Sequence, residues 1–226
     1  MTIALSMALT LACYAVGLIV RKKTNSPLAV PVVVATALAA LNIVASRMDY
    51  QTYASDNAWI VWMLGPATVA LGVGLAKNIR LLKGSMTTII IGVLTGVVAT
   101  TGCAMIMGTF MHLPHELILA FSLKATTTAV ALDMAKTLGL NPVVVTVTVL
   151  TSGMLGAIAG PTIFRLAKVK TTIERGVATG AVAHGIGTAQ IASEDATAGA
   201  FSGLAMSLGA LVVAVGAPFV VNILGK

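Results

Sequence analysis

The chain has 226 residues, of which 58% are hydrophobic and only 9% charged, with a mean hydropathy of +0.99. Such a chain has too little polar surface to cover a water-soluble domain, so its solvent is a bilayer. The net charge of +7 does not point to nucleic acid, because the basic residues stand in short clusters between apolar segments, where they orient spans.

Residues 3–20 form the first span, closed by Arg21, Lys22 and Lys23. The positive charges follow the apolar run, the flank of a retained span with its N-terminus outside and not of a cleaved signal peptide. The second span opens at Pro27, absorbs Pro31 in its first turns and ends near Ser46; a polar loop, RMDYQTYASDN, follows. The third, 58–76, carries Trp59 and Trp62 near its outer end and Gly65-Pro66 in its middle, where the missing amide donor predicts a kink or an unwound turn. The fourth, 86–107, has Gly92, Gly96 and Gly102 for close helix contact.

Residues 111–141 are ambiguous: they hold Pro114, Lys124, the run Thr126-Thr127-Thr128, and Asp133 with Lys136 at ion-pair spacing. Spans at 143–164 and 201–224 flank the segment Gly176 to Gln190, in which His184 is followed by Gly185, Gly187 and Thr188. Charge chooses the topology. If 111–141 crossed once, the loop with Arg165, Lys168, Lys170 and Arg175 would fall outside and the loop with Glu194 and Asp195 inside, against the positive-inside rule. A re-entrant hairpin with its tip near Lys124 to Thr128 restores the rule and places the C-terminus inside. NSPLAVPVVV in the second span and GLNPVVVTVTV in the sixth resemble one another weakly. The expected fold is therefore an all-α polytopic membrane protein of about seven transmembrane helices plus a re-entrant hairpin, or eight spans. It forms one transmembrane domain, 1–226, from two weakly similar inverted repeats, 1–108 and 113–224, with broken helices.

Interrupted helices free backbone N–H and C=O groups that are tolerated at membrane depth only where protein or a wet cavity satisfies them, so the breaks are the candidate sites. His184 in an apolar span is either a structural histidine bonded to a backbone carbonyl or a functional group. Lys124 is either a snorkelling lysine or, before a half-helix N-terminus, a cation that attracts a carboxylate. The threonines either bond back to their own helix or donate to a ligand, and Pro66 with Thr68 is either a packing kink or the matching break. Cys13 and Cys103 read as buried hydrophobes, and His112, His115 and His184 are too scattered for a metal centre. No catalytic residue, metal or cofactor is expected.

Four ordered runs, KATTTAVA at 124–131, GAIAGP at 156–161, ERGVATGAVAHGIGTA at 174–189 and GAFSGLA at 199–205, together with LGPATVAL at 64–71, resemble the LrgB/CidB family of bacterial membrane proteins. The resemblance implies an antiholin-like protein of the plasma membrane that acts with a small holin-like LrgA/CidA partner on murein hydrolase activity and lysis. It also implies a carrier of small carboxylates, since relatives include a plastid glycolate/glycerate translocator, and with the broken helices a carrier of small monocarboxylates of the pyruvate, glycolate or lactate class is the leading expectation, the regulator the alternative. The chain departs from the family at Ala125 and Ala183, where serine is usual, and at Ala129, where proline is usual, which leaves the hairpin tip less firmly enforced. The expected carrier has a midplane site of Lys124, Thr126, Thr127, Thr128, His184, Gly185, Gly187, Thr188, Pro66 and Thr68. A small carboxylate, the LrgA/CidA protein and the bilayer are its expected partners; nucleic acid is not among them, and a homodimer fits a protein of this size. The regulator reading instead assigns the small-residue faces Gly92/Gly96 and Gly199/Gly203 to partner contacts.

Overall fold

A computed structural model describes residues 3–24, 29–63, 66 and 79–225, and every described element is helical. The chain falls into two compact units, Met1–Val73 and Gly74–Lys226.

The first unit contains α1 (Ile3–Thr24), α2 (Pro31–Ala45), α3 (Tyr50–Asp56) and α4 (Ala58–Trp62). Arg21, Lys22 and Lys23 occupy the last turn of α1, where cations complement the helix dipole. The second helix begins at Pro31, whose missing N–H costs nothing at the first helical position. Its closeness to α1 depends on Gly17, because a Cβ there would lie 2.5 Å from the Pro31 carbonyl oxygen. The polar run 47–57 is not all loop: Tyr50–Asp56 is a helix because Asp49 caps it, accepting from the Thr52 N–H at 2.8 Å. That helix is joined to α1 by polar contacts: the Ser6 hydroxyl donates to Asp56 at 2.5 Å, and the Thr10 hydroxyl lies 2.6 Å from Tyr53 Oη and 2.8 Å from Asn57 Oδ1.

The second unit contains α5 (Ile79–Phe110), α6 (His115–Ala120), a 3-10 turn (Phe121–Leu123), α7 (Thr128–Leu138), α8 (Pro142–Leu166), α9 (Thr172–Glu194) and α10 (Ala196–Leu224). Four described helices are long and apolar enough to cross a bilayer: Ile3–Thr24, Met86–Phe110, Pro142–Leu166 and Ala196–Leu224. The chain is thus a membrane-embedded, all-helical protein. Phe110 is 83% and Leu166 78% exposed, as lipid-facing side chains are. Within 111–141, α6 has 6 residues and α7 has 11, so neither crosses alone at about 1.5 Å per residue. Asp133 and Lys136 face each other across 4.0 Å on the exposed side of α7, as their spacing suggested.

Small residues set the helix spacing. Gly92 and Gly96 of α5 meet Val177 and Ala181 of α9, where a Cβ would come within 3.1 and 3.3 Å. Gly176 and Gly180 of α9 lie against the backbone of α10 at Ala198 and Ser202, and Gly199 lies against Ala192. Gly92, Gly96, Gly199 and the buried Gly203 are therefore occupied within one chain, which corrects their assignment to a partner. The acidic stretch 193–199 is not a loop either. Asp195 alone separates α9 from α10, and its carboxylate accepts from the N–H groups of Thr197 and Ala198 and from the Thr172 hydroxyl. Those bonds, the Ala198 N–H foremost, hold its pKa below the usual carboxylate value.

Candidate functional site

Two interruptions lie in the second unit. The first follows the 3-10 turn, where no regular helix runs through residues 124–127 and the chain is extended at Thr127 before helix resumes at Thr128. It forms without the proline usual in the family, because Thr127 is extended (ψ 151°) and caps α7 by accepting from the Val130 N–H at 3.4 Å. The whole turn is interior: Ser122, Leu123, Lys124, Ala125 and Thr126 are buried. No hydrogen bond or ion pair joins the Lys124 ammonium to a described residue. The Thr126 hydroxyl is likewise buried with no partner.

The second interruption lies in α9, and it is at His184 itself, not at Gly185 and Gly187 as the glycines suggested. His184 has φ 36° and ψ −130°, a region that a side chain disfavours and that costs on the order of 1–3 kcal/mol unless its surroundings enforce it. They do so here. The ring packs on Gly153 of α8, where a Cβ would meet His184 Cε1 at 2.6 Å, and Nε2 lies 2.9 Å from the Val149 carbonyl oxygen. An acceptor carbonyl requires Nε2 to carry the proton, which leaves Nδ1 as the acceptor of a neutral ring. This is the geometry of the structural alternative for His184. The His184 carbonyl accepts from the Thr188 hydroxyl, one turn on, at 2.6 Å. Thr188 has then spent its proton, so the Ser202 hydroxyl at 2.8 Å donates to it.

One face of α10 brings the interruptions together. Ser202 meets Thr188, Met206 faces Gly185, and Gly209 faces the Ala125 carbonyl, 3.6 Å from where its Cβ would stand. Residues 202, 206 and 209 share one helix face, and Met206 and Gly209 are about 4.5 Å apart along the axis.

The remaining candidates are placed as follows. Thr127 is committed to capping, Thr128 is the first residue of α7, and Gly187 packs against Ala183 and Thr179 of its own helix. Pro66 is exposed, while Thr68 and the residues on both sides of Pro66 lie outside the described residues, and with them the expected break of the third span. Ser202 was not singled out from the sequence, although a lone hydroxyl in the apolar run GAFSGLA was the available signal. Met206 and Gly209 gave none. Among the described residues, no group of three or more His, Cys, Asp or Glu is arranged to hold a metal.

The LrgB-like family model matches residues 10–223. The chain belongs to the LrgB-like family. Curated relatives of this LrgB-like chain include a "Holin-like protein CidB" of Staphylococcus epidermidis, 28% identical over 96% of this chain and 95% of the relative. A "Holin-like protein CidB" of Staphylococcus aureus is 25% identical over the same shares. An "Uncharacterized protein YxaC" of Bacillus subtilis is 29% identical over 94% of this chain and 93% of the relative. No solved structure matches significantly.

Proposed function

We propose that this LrgB-like chain is a holin-like membrane protein that regulates murein hydrolase export and autolysis together with a small LrgA/CidA-type partner. The observation that carries the reading is the near end-to-end alignment with relatives named holin-like protein CidB. In this reading the protein sits in the plasma membrane with its N-terminus outside and C-terminus inside. Deleting the gene, then restoring it with and without the partner gene, tests the proposal through autolysis rate and zymography of secreted murein hydrolases. Restoration that needs both genes is expected; autolysis and secreted hydrolase activity unchanged by the deletion would remove the reading.

A second reading, a carrier of small monocarboxylates, is favoured by one observation: two interrupted helices meet on a single face of α10. Interrupted helices paired near the middle of the membrane are how many secondary transporters hold a substrate, within inverted repeats, here 1–108 and 113–224. Residues 111–141 then re-enter, with Lys124 and Thr126 at the tip, Thr127 and Thr128 opening α7, and His184, Gly185, Gly187 and Thr188 opposite. Pro66 and Thr68 are the counterpart in the first repeat. Uptake of labelled pyruvate or glycolate into proteoliposomes is the test, and transport unaltered in Lys124→Ala and His184→Ala proteins would dispose of this site.

A further inference from the structure

We infer that α9 does not cross the membrane: residues 172–194 enter and leave on one face as a helical hairpin with His184 at its tip, a plug in that half of the bilayer. A straight helix of 23 residues holds its ends about 33 Å apart. Here the ends touch. The Thr172 hydroxyl donates to the Asp195 carboxylate at 3.1 Å, and the Arg175 guanidinium lies 3.6 Å from the Glu194 carboxylate. Between those contacts the two arms run side by side, for a Cβ on Gly187 would meet the Thr179 side chain, eight positions back, at 2.8 Å. The positive-φ turn at His184 is what reverses the chain.

The neighbouring helices fix how deep the hairpin goes. At its mouth the Arg175 guanidinium lies 5.9 Å from the centre of the Phe164 ring, in the last turn of α8, and Gly176 packs on Ala198 in the first turn of α10. At its tip Gly185 faces Met206, about 15 Å along α10, whose 29 residues extend about 43 Å. The hairpin therefore stops short of the middle of α10. Nor is α9 one of the four described helices that length and apolarity allow to cross. The other interruption arrives from the opposite end: Leu119 of α6 lies beside Gly225, just past the end of α10, and the Ala125 carbonyl lies beside Gly209. Two plugs thus enter from opposite faces and end at neighbouring levels of one helix.

Sidedness follows from the mouth. Since α8 ends and α10 begins there, Arg165, Lys168, Lys170 and Arg175 share a face with Glu194 and Asp195. Charge permits this, because the orientation rule counts Lys and Arg near the ends of spans and gives acids little weight. With the basic loop inside, α10 runs outward and the chain ends outside. This replaces the inside C-terminus, which follows only when 176–190 is counted as a crossing.

Single cysteines in the full chain, with Cys13 and Cys103 replaced by alanine, test the hairpin. Lys170→Cys, Ser193→Cys and a cysteine added after Lys226 are treated with a membrane-impermeant maleimide in intact spheroplasts and in inside-out vesicles. Residues 170 and 193 are both exposed, so the reagent reaches them on whichever face they lie. Lys170→Cys and Ser193→Cys should label only in the inside-out vesicles, and the added cysteine only in the spheroplasts. Should the chain without its own cysteines fail to fold, a second measurement keeps them. In the parent chain the pair Arg175→Cys and Glu194→Cys should be joined by a short bifunctional methanethiosulfonate and found as a linked peptide by mass spectrometry, whereas the ends of a crossing helix lie far beyond its reach. Labelling of 170 and 193 from opposite faces, an added cysteine reached from the face that reaches 170, or no link between 175 and 194 would each overturn the hairpin. Autolysis and uptake do not report on it, so the result stands apart from both functional readings.

Discussion

His184 and Val149 are joined by a hydrogen bond of 2.9 Å between the imidazole Nε2 and a backbone carbonyl oxygen, linking the strained turn of α9 to the middle of α8. The ring fits only because residue 153 is glycine. Gly153→Ala should therefore push the ring off its acceptor and lower stability by about 1–3 kcal/mol, the usual cost of overpacking. Thermal melting of the detergent-solubilised protein measures it, and a Tm equal to that of the parent would argue against the link.

The backbone at His184 makes a second prediction, independent of the ring. His184→Ala loses the bond and keeps a side chain at φ 36°, whereas His184→Gly loses the bond and relieves the strain. The glycine variant should be the more stable of the two by about 1 kcal/mol, in spite of the poorer helix propensity of glycine. The reverse order in paired melts would mean that the turn at 184 is an ordinary helical one.

Contact between α9 and α10 is tightest at Gly180, where a Cβ would stand 2.1 Å from the Ser202 carbonyl oxygen. A backbone atom cannot turn aside as a side chain does, so Gly180→Ala should separate the hairpin and reduce folded protein severely. Gly102→Ala, at a helical position with nothing within 4 Å, should be neutral or stabilising by up to about 1 kcal/mol through helix propensity. Fluorescence-detected size-exclusion profiles of the two variants report both outcomes together.

The Thr188–Ser202 bond closes the chain of polar contacts that begins at the His184 carbonyl. Thr188→Val and Ser202→Ala should each cost about 1 kcal/mol. Because both remove the same bond, the double variant should cost less than their sum. Additive losses in the melts would show that the two hydroxyls do not interact.

At the α9–α10 turn, the Asp195 carboxylate is held below its usual pKa by the Ala198 N–H first, with help from Thr172, Thr197 and Arg175. A carboxylate whose folded pKa is depressed contributes stability above its unfolded value of about 3.9, and that contribution is lost as pH falls through the lower folded value. Melting temperatures from pH 7 to pH 3 should fall toward the acid end, and Asp195→Asn should flatten the part of the fall due to this group. Asp195→Ala should cost about 1 kcal/mol at neutral pH through loss of the cap. An Asp195→Asn profile that follows that of the parent throughout would rule out the cap as the titrating group.

Sequence alone determined the solvent of this protein. Apolar runs long enough to cross a bilayer are a one-dimensional property, and so are the cationic end of α1 and the proline that opens α8, whereas Asp49 and Asp195, which cap α3 and α10, stand in polar runs that read as loops. The interruption of residues 176–190 was also legible, because glycines and a histidine in an apolar run have few other uses. Its position was not, for the glycines pointed to Gly185 and Gly187, while the chain turns at His184. What decided that was contact: a carbonyl of α8, a glycine beneath the ring and a hydroxyl of α10 together hold one residue in a conformation it disfavours. The assignment of Gly92 and Gly199 to other molecules failed for a related reason, since a small residue shows that something approaches and not what approaches. The meeting of Ala125 and Gly185 on one face of α10 was out of reach for the same cause. Spacing along one helix fixes which of its residues share a face, but only the folded bundle decides which two distant turns are laid against it.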